Sequence, residues 1–270
     1  MSIAVLMTCY DRVETTLRCL RTLFAQELPT DWTLDVWLVD DASPDRTGEK
    51  VKAAFPQVNV IQSPGGLYWC KGMRLAWDTA AKAKDYDAYL WLNDDVMLEP
   101  GALRGLADDV AEVGDGTIFV GAMRTESGEI AYGMGGGPDG KLRPNGRPQP
   151  AMGFMSGNFV WVPRKVFCAI GPIYGGYSHG FGDYDYGWLA DRHGIARCLC
   201  SQVVGGCPQQ PERYRHVAGR PFVERLKTLF DRKGFPIRDN FIYQCRRKGI
   251  GYAALSILHV VWLRVVMGRG

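Results

Sequence analysis

No long uncharged apolar run occurs in the 270-residue sequence. Its most apolar stretch, Ile250 to Met267, is interrupted by His259 and Arg264. A membrane span needs about 20 predominantly apolar residues, so this stretch is not expected to cross a bilayer. A charged segment leading into an apolar core and a small-residue cleavage site is also missing. Met1-Ser-Ile-Ala-Val-Leu-Met runs directly into polar Thr8 and Tyr10, which sets the expectation of a cytoplasmic protein. The eight cysteines lack a repeated pair spacing and several lie in apolar runs, so reduced core thiols are expected rather than disulfides or structural zinc. Cys198, Cys200 and Cys207 cluster without a second matching pair. Net charge is only +3 and the pI about 8.4, too mild a bias to point to nucleic acid. The glycine-rich run Gly133 to Gly140 has no strand immediately before it and no apolar helix immediately after it, so turn chemistry is favoured over phosphate cradling.

With 46% hydrophobic and 23% charged residues, the composition is that of a globular protein, and one domain plus a tail is expected. Ile3–Met7 reads as a strand followed by a helix carrying Val13, Leu17, Leu20 and Phe24. A second strand, Asp35–Val39, ends in Asp40-Asp41-Ala-Ser-Pro-Asp and precedes a polar helix through Lys50 and Ala54. Val58–Ile61 is a third, followed by a Pro-Gly-Gly loop and a helix with Met73, Trp77 and Ala80 on one face. The alternation predicts a mostly parallel sheet covered on both sides, with ligands gathering at the strands' carboxyl ends. Hairpins and a loop are expected from Thr125 to Pro150, then a strand over Phe154–Val162 and a helix over Pro163–Ile170.

The fourth strand organises the chemistry. Ala88-Tyr-Leu-Trp-Leu is apolar and ends abruptly in Asn93, Asp94 and Asp95. Carboxylates crowded at the end of a buried strand repel one another unless a positive charge neutralises them. Mg²⁺ or Mn²⁺ suits such a site, because hard ions take oxygen ligands and Mg²⁺ commonly shares its shell with substrate phosphates. The simpler reading is that the acidic residues merely begin a turn.

A second focus lies in Tyr174-Gly-Gly-Tyr-Ser-His-Gly-Phe-Gly-Asp-Tyr-Asp-Tyr-Gly187. Asp183 and Asp185 sit among aromatic residues, where partial desolvation raises a carboxylate toward useful basicity. Asp183 also reads as the cap of a helix carrying Trp188 and Leu189, and a capping carboxylate is held in place as a catalytic base must be.

The order of these motifs resembles the family-2 glycosyltransferases, inverting enzymes of the GT-A fold, and especially their bacterial rhamnosyltransferase-like members. Thr8-Cys-Tyr-Asp-Arg12 is similar to the first-strand nucleotide loop, and Val39-Asp-Asp-Ala-Ser43 to the base-binding motif, with Asp41 at the nucleobase position. Gly66 to Arg74 resembles the loop and helix start over the diphosphate, and Leu92 to Val96 the metal motif, with Asp95 as its terminal ligand. Met155-Ser-Gly-Asn158 through Gly171-Pro172 looks like the acceptor segment, and Gly182-Asp-Tyr-Asp185 stands where the family has Glu-Asp-x-Asp. The resemblance implies a Rossmann-like nucleotide-sugar half over residues 1–124, an acceptor half over 125–210 and a basic and apolar helical extension over 211–270. Asp183 takes the role of base. Thr8, Tyr10, Arg12, Asp41, Gly66, Lys71, Arg74, Asn93 and Asp94 would bind the nucleotide sugar. Trp69, Asn158, His179, Tyr184 and Asp185 would contact the acceptor, and Asp95 with His216 the metal. Gly182, Leu189 and Asn93 depart from residues usual in the family, where an acidic residue, an arginine and an aspartate are common.

The implied reaction moves a sugar such as rhamnose or another hexose from a UDP, dTDP or GDP donor to a hydroxyl of a cell-surface polysaccharide or lipid-linked glycan. A divalent ion would act as Lewis acid on the departing diphosphate. Lys71 and Arg74 would add positive charge if the helix beginning near them points its amides at the phosphates. A non-catalytic sugar-nucleotide-binding regulator and a nucleotidyltransferase are the alternatives. The tail's basic approach and Trp262 fit either a helix lying on an anionic membrane at the inner face of the cell or one docked on the core.

Overall fold

The computed structural model describes residues 1–136, 140–208, 217–231 and 236–268. It contains β1 (Ser2–Cys9), α1 (Val13–Phe24), β2 (Thr33–Asp40), α2 (Thr47–Ala54), β3 (Asn59–Gln62), α3 (Tyr68–Ala83), β4 (Ala88–Leu92), β5 (Met97–Leu98) and α4 (Ala102–Val113). There follow β6 (Ile118–Arg124), β7 (Ile130–Tyr132), β8 (Gln149–Pro150), β9 (Phe159–Pro163), α5 (Arg164–Ile170), α6 (Gly182–Arg192) and β10 (Arg197–Gly206). Among the described residues there then come α7 (Phe222–Thr228), α8 (Ile237–Lys248) and α9 (Ile250–Val261), the last running into a π-helical turn over Trp262–Val266.

One sheet of order β3-β2-β1-β4-β9-β6-β10-β5 forms the centre. β3, β2, β1 and β4 are mutually parallel, β9 runs antiparallel between β4 and β6, and β10 returns parallel to β6. β1, β4 and β9 are apolar at nearly every position because both of their faces are covered. Alternation along β1 divides the core. Ile3, Val5 and Met7 join α1, α2 and α4 in one cluster, while Ala4 and Leu6 join Met73, Ala76 and Trp77 of α3, Val166 of α5 and Tyr186 of α6 in the other. Ile242 and Tyr243 of α8 pack against this second cluster, so one terminal helix docks on the core.

The expected strand over Phe154–Val162 begins only at Phe159. Residues 156–158 turn instead: the Gly157 amide binds Asp183, and the Asn158 carbonyl receives the Asn93 amide. The sequence pattern assigns no strand to 197–206, where Arg197, Ser201 and the cysteines hide one that is almost wholly buried. Arg197 is tolerated inside because it pairs with Asp191 at 2.6 Å and donates to the Gly153 carbonyl. All eight cysteines are free thiols, and no described helix is long and apolar enough to cross a membrane.

Candidate active site

β1, β2 and β4 carry Tyr10 to Arg12, Asp41 and Asn93 to Asp95 beyond their carboxyl ends. β9, running the other way, brings Ser156 to Asn158 to the same edge. Thr8 is buried at the end of β1, and a Cβ on Gly72 would lie 2.3 Å from its Oγ1, so glycine is needed where α3 crosses the strand. Tyr10 is exposed.

Asp94 and Asp95 are both buried, and the Arg12 guanidinium lies across them, its Nη1 3.2 Å from Asp94 Oδ1 and 3.0 Å from Asp95 Oδ2. Thr16 donates to Asp94 Oδ2 at 3.2 Å. Burial, opposed by Arg12 and reinforced by Asp95, pushes the Asp94 carboxyl up to about 7. Cys207, just beyond β10, places Sγ 3.5 Å from Asp95 Oδ1 and receives the Asn158 amide at 3.3 Å. Burial and the Asp95 charge push its thiol far up, so it stays protonated.

These residues fit a divalent ion only with help from a ligand. Asp95 offers hard oxygen donors at an edge that already holds one cation, the Arg12 guanidinium. Among the described residues, no group of three or more His, Cys, Asp or Glu converges on a metal site. Oxygens from a bound diphosphate would have to complete the shell. His216 lies outside the described residues.

Asp41 is engaged from three directions. Its Oδ1 accepts from Ser63 Oγ (2.7 Å) and the Leu67 amide (3.0 Å), and its Oδ2 from the Tyr68 amide (2.9 Å). The carboxylate thus fastens the Gly65-Gly66 loop to the end of β2, where Gly66 has φ +78°. It also takes amides at the start of α3 that the sequence had suggested for phosphates. Arg74 is likewise committed, to Asp78 at 2.8 Å and the Ile173 carbonyl at 3.2 Å. Lys71, half-buried on α3, has no carboxylate partner among the described residues.

Asp183 stands in the first turn of α6. Its Oδ2 accepts from the Gly157 amide at 3.0 Å and its Oδ1 from the Tyr184 amide at 2.9 Å. Trp69 joins the two acidic centres: its Nε1 donates to Asn93 Oδ1 at 2.7 Å while its ring covers Gly157. A Cβ at Gly157 would meet that ring at 2.6 Å and the Asp183 Cβ at 3.4 Å. Tyr184 packs edge-on against Phe154, and His179 lies in the loop before α6.

Asp185 is 1% exposed, with both oxygens 3.1 Å from Arg246 Nε on α8. The Arg246 guanidinium also stacks on Tyr174 at 3.9 Å. Asp239, also on α8, accepts from the Ser178 amide at 2.6 Å and from its hydroxyl. Asp185 is therefore turned to α8 rather than to an acceptor, and α8 braces the loop that presents Asp183. No spacing rule could have revealed a partner 61 residues away. Gly182 also has a local cause. A Cβ there would lie 2.6 Å from Cys70 Sγ and 3.0 Å from Ile173 Cδ1, so α6 starts too close to α3 for the acidic residue usual in the family.

Four parallel strands joined through one reversed strand to the rest of the sheet, with acidic residues gathered at one sheet edge, match the GT-A glycosyltransferase fold. Residues 4–171 match the profile of glycosyl transferase family 2, and the chain belongs to that family. A search of curated protein sequences finds no match. Among solved structures, the chain is similar to S. aureus TarS 1-349, with 15% identity and a TM-score of 0.59 over 92% of this chain and 73% of that one. It is similar to GalNAc-T7 with UDP, GalNAc and Mn²⁺, with 12% identity and a TM-score of 0.62 over 93% and 51%. It is also similar to the mannosyltransferase PcManGT from Pyrobaculum calidifontis in complex with GDP-Man and Mn²⁺, with 15% identity and a TM-score of 0.55 over 96% and 74%.

Proposed function

We propose that the protein is an inverting glycosyltransferase that moves a hexose, rhamnose among the candidates, from a UDP, dTDP or GDP donor to a hydroxyl of a cell-surface polysaccharide or lipid-linked glycan. It would work in the cytoplasm, at the inner face of the membrane. The observation that carries this reading is the carboxylate of Asp183, fixed by two backbone amides and joined through Trp69 and Gly157 to the edge that holds Asp94 and Asp95. Asp183 accepts the acceptor's hydroxyl proton. The acceptor oxygen then bonds to the anomeric carbon as the bond to the diphosphate oxygen breaks on the opposite face, and the nucleoside diphosphate departs with the electron pair. Proton removal by one placed base supplies about 10²- to 10⁴-fold, so orientation and charge neutralisation supply the rest.

Mn²⁺ or Mg²⁺, held by Asp95 and the donor's phosphates, would supply Lewis-acid neutralisation of the leaving group when bound. Thr8, Tyr10, Arg12 and Gly66 line the donor edge, and Lys71 is a nearby cation with no carboxylate partner among the described residues. Trp69, Asn158 and Tyr184 flank Asp183 on the acceptor side. Incubation with UDP-, dTDP- and GDP-sugars and Mn²⁺ tests the reading: transfer to an added glycan, or slow release of nucleoside diphosphate without one, is expected. Pyrophosphate release from a sugar phosphate and a nucleoside triphosphate would instead mark a nucleotidyltransferase, and binding without any turnover a regulator.

A further inference from the structure

The exposed faces of α7 and α9 carry large apolar side chains that no part of the described chain covers. On α9 these are Ile250 (74% exposed), Leu255 (69%) and Leu258 (67%), and the exposed Trp262 and Val266 continue them in the π-helical turn that follows. From Gly249 to Leu263 the sequence has no acidic or basic side chain except His259. Phe222 and Leu226 lie four residues apart on α7, and Phe230 (70% exposed) follows in the turn just beyond it. The two stripes adjoin, because Arg225 of α7 donates to the carbonyls of Val265 and Val266 in the π-helical turn that follows α9. A contiguous apolar surface of this kind marks an interaction site rather than an ordinary solvated face.

Charge identifies what covers it. From Pro221 to the end there are ten Lys or Arg against three Asp or Glu, whereas the chain as a whole is nearly balanced at 32 to 29. Arg247 and Lys248 are exposed immediately before Ile250, and neither has a carboxylate partner among the described residues. Lys227 is exposed beside Leu226, and Lys248 Nζ lies 4.2 Å from the Tyr252 ring, at the margin of the α9 stripe. An apolar helical face bordered by cations, with a Trp at one end, fits the headgroup boundary of an anionic bilayer, where acyl contact and phosphate attraction act together. α8 turns its own apolar residues, Ile242 and Tyr243, to the core, and so ties this surface to the domain.

We propose that α7 and α9 together form a membrane-docking face that seats the protein on an anionic lipid surface. This deepens the membrane location given above, yet it requires neither donor nor turnover, so it can fail while the transferase reading stands. The test is flotation of the full chain with vesicles of phosphatidylcholine alone and with about a third phosphatidylglycerol. The full chain is expected to float with the anionic vesicles and to be released by high salt. Leu255→Ser, Leu258→Ser and Trp262→Ser combined are expected to cut binding by about tenfold or more, with the thermal melting point unchanged because these side chains are exposed. Arg247→Glu with Lys248→Glu, which leaves the apolar stripe in place, is expected to weaken binding as well. Absence of the full chain from the anionic vesicle fraction would overturn the proposal, as would undiminished flotation of both variants. It would also be overturned by a solution dimer of the full chain that the triple variant dissolves, since the face would then belong to a second copy.

Discussion

The Arg12 guanidinium lies 3.0 Å from Asp95 Oδ2, on the carboxylate proposed above to hold a metal ion. A divalent ion bound to Asp95 as proposed would share this oxygen with an internal cation, and the two would compete for it. Arg12→Gln is expected to lower stability in chelator by about 1–3 kcal/mol, below the range for a fully buried pair because the Arg12 side chain is 36% exposed. The variant should in turn be stabilised by Mn²⁺ more than the parent is. Thermal melts with chelator and with Mn²⁺ measure both, and equal metal shifts in the two proteins would contradict the competition.

Asp94 supplies a pH dependence. Its carboxyl is raised to about 7 in the fold from 3.8, chiefly by burial. The folded state therefore holds a proton that the unfolded state releases near pH 4. The associated stability is fully present below about pH 4 and is lost as pH rises through about 7. Asp94→Asn should flatten this part of the metal-free stability profile between pH 5 and 8, a difference of the order of a few kcal/mol at most. Denaturant melts across that range would show an unchanged slope if Asp94 were ionised throughout.

Arg246 reaches Asp185 from α8 and holds the start of α6. Arg246→Met leaves a buried carboxylate without its partner and is expected to cost about 2–4 kcal/mol. Turnover should fall while donor binding persists, because the proposed donor edge is built from β1, β2 and β4. Arg246→Lys should recover part of the stability but lose the paired contacts. Loss of nucleotide binding in step with stability would show instead that α8 supports the whole domain.

Gly182 is a packing requirement. Gly182→Glu would restore the side chain common in the family, yet its Cβ would meet Cys70 Sγ at 2.6 Å. A loss of about 1–3 kcal/mol is expected from the overpacking. Cys70→Ala in the same chain should return part of it, and a Gly182→Glu protein as stable as the parent would refute the steric explanation.

Much of this arrangement was legible in the residues themselves. The alternation of apolar runs with helical spacing marks β1 to β4, and the abrupt ending of β4 in Asn93-Asp94-Asp95 marks the sheet edge at which the acidic residues gather. The same pattern could not show what each carboxylate touches. Asp41 stands at the end of β2 as expected, but its ligation of the Leu67 and Tyr68 amides depends on how the Gly65-Gly66 loop folds back. β10 escapes detection because Arg197 and Ser201 mimic an exposed segment while their polar groups are satisfied inside. The Arg246–Asp185 and Asp239–Ser178 contacts each bridge 61 residues, so only the assembled fold brings them together.

Asp183 is the point on which the transferase reading turns. Its substitution by Asn keeps the shape and the oxygen that accepts the Gly157 amide, while removing the basic carboxylate. Side-by-side measurement of sugar transfer and of donor binding by Asp183→Asn is therefore the most direct test. Transfer should fall by about 10²-fold or more with nucleotide affinity within about twofold of the parent. Transfer at the parent's rate would place the base elsewhere and contradict the assignment.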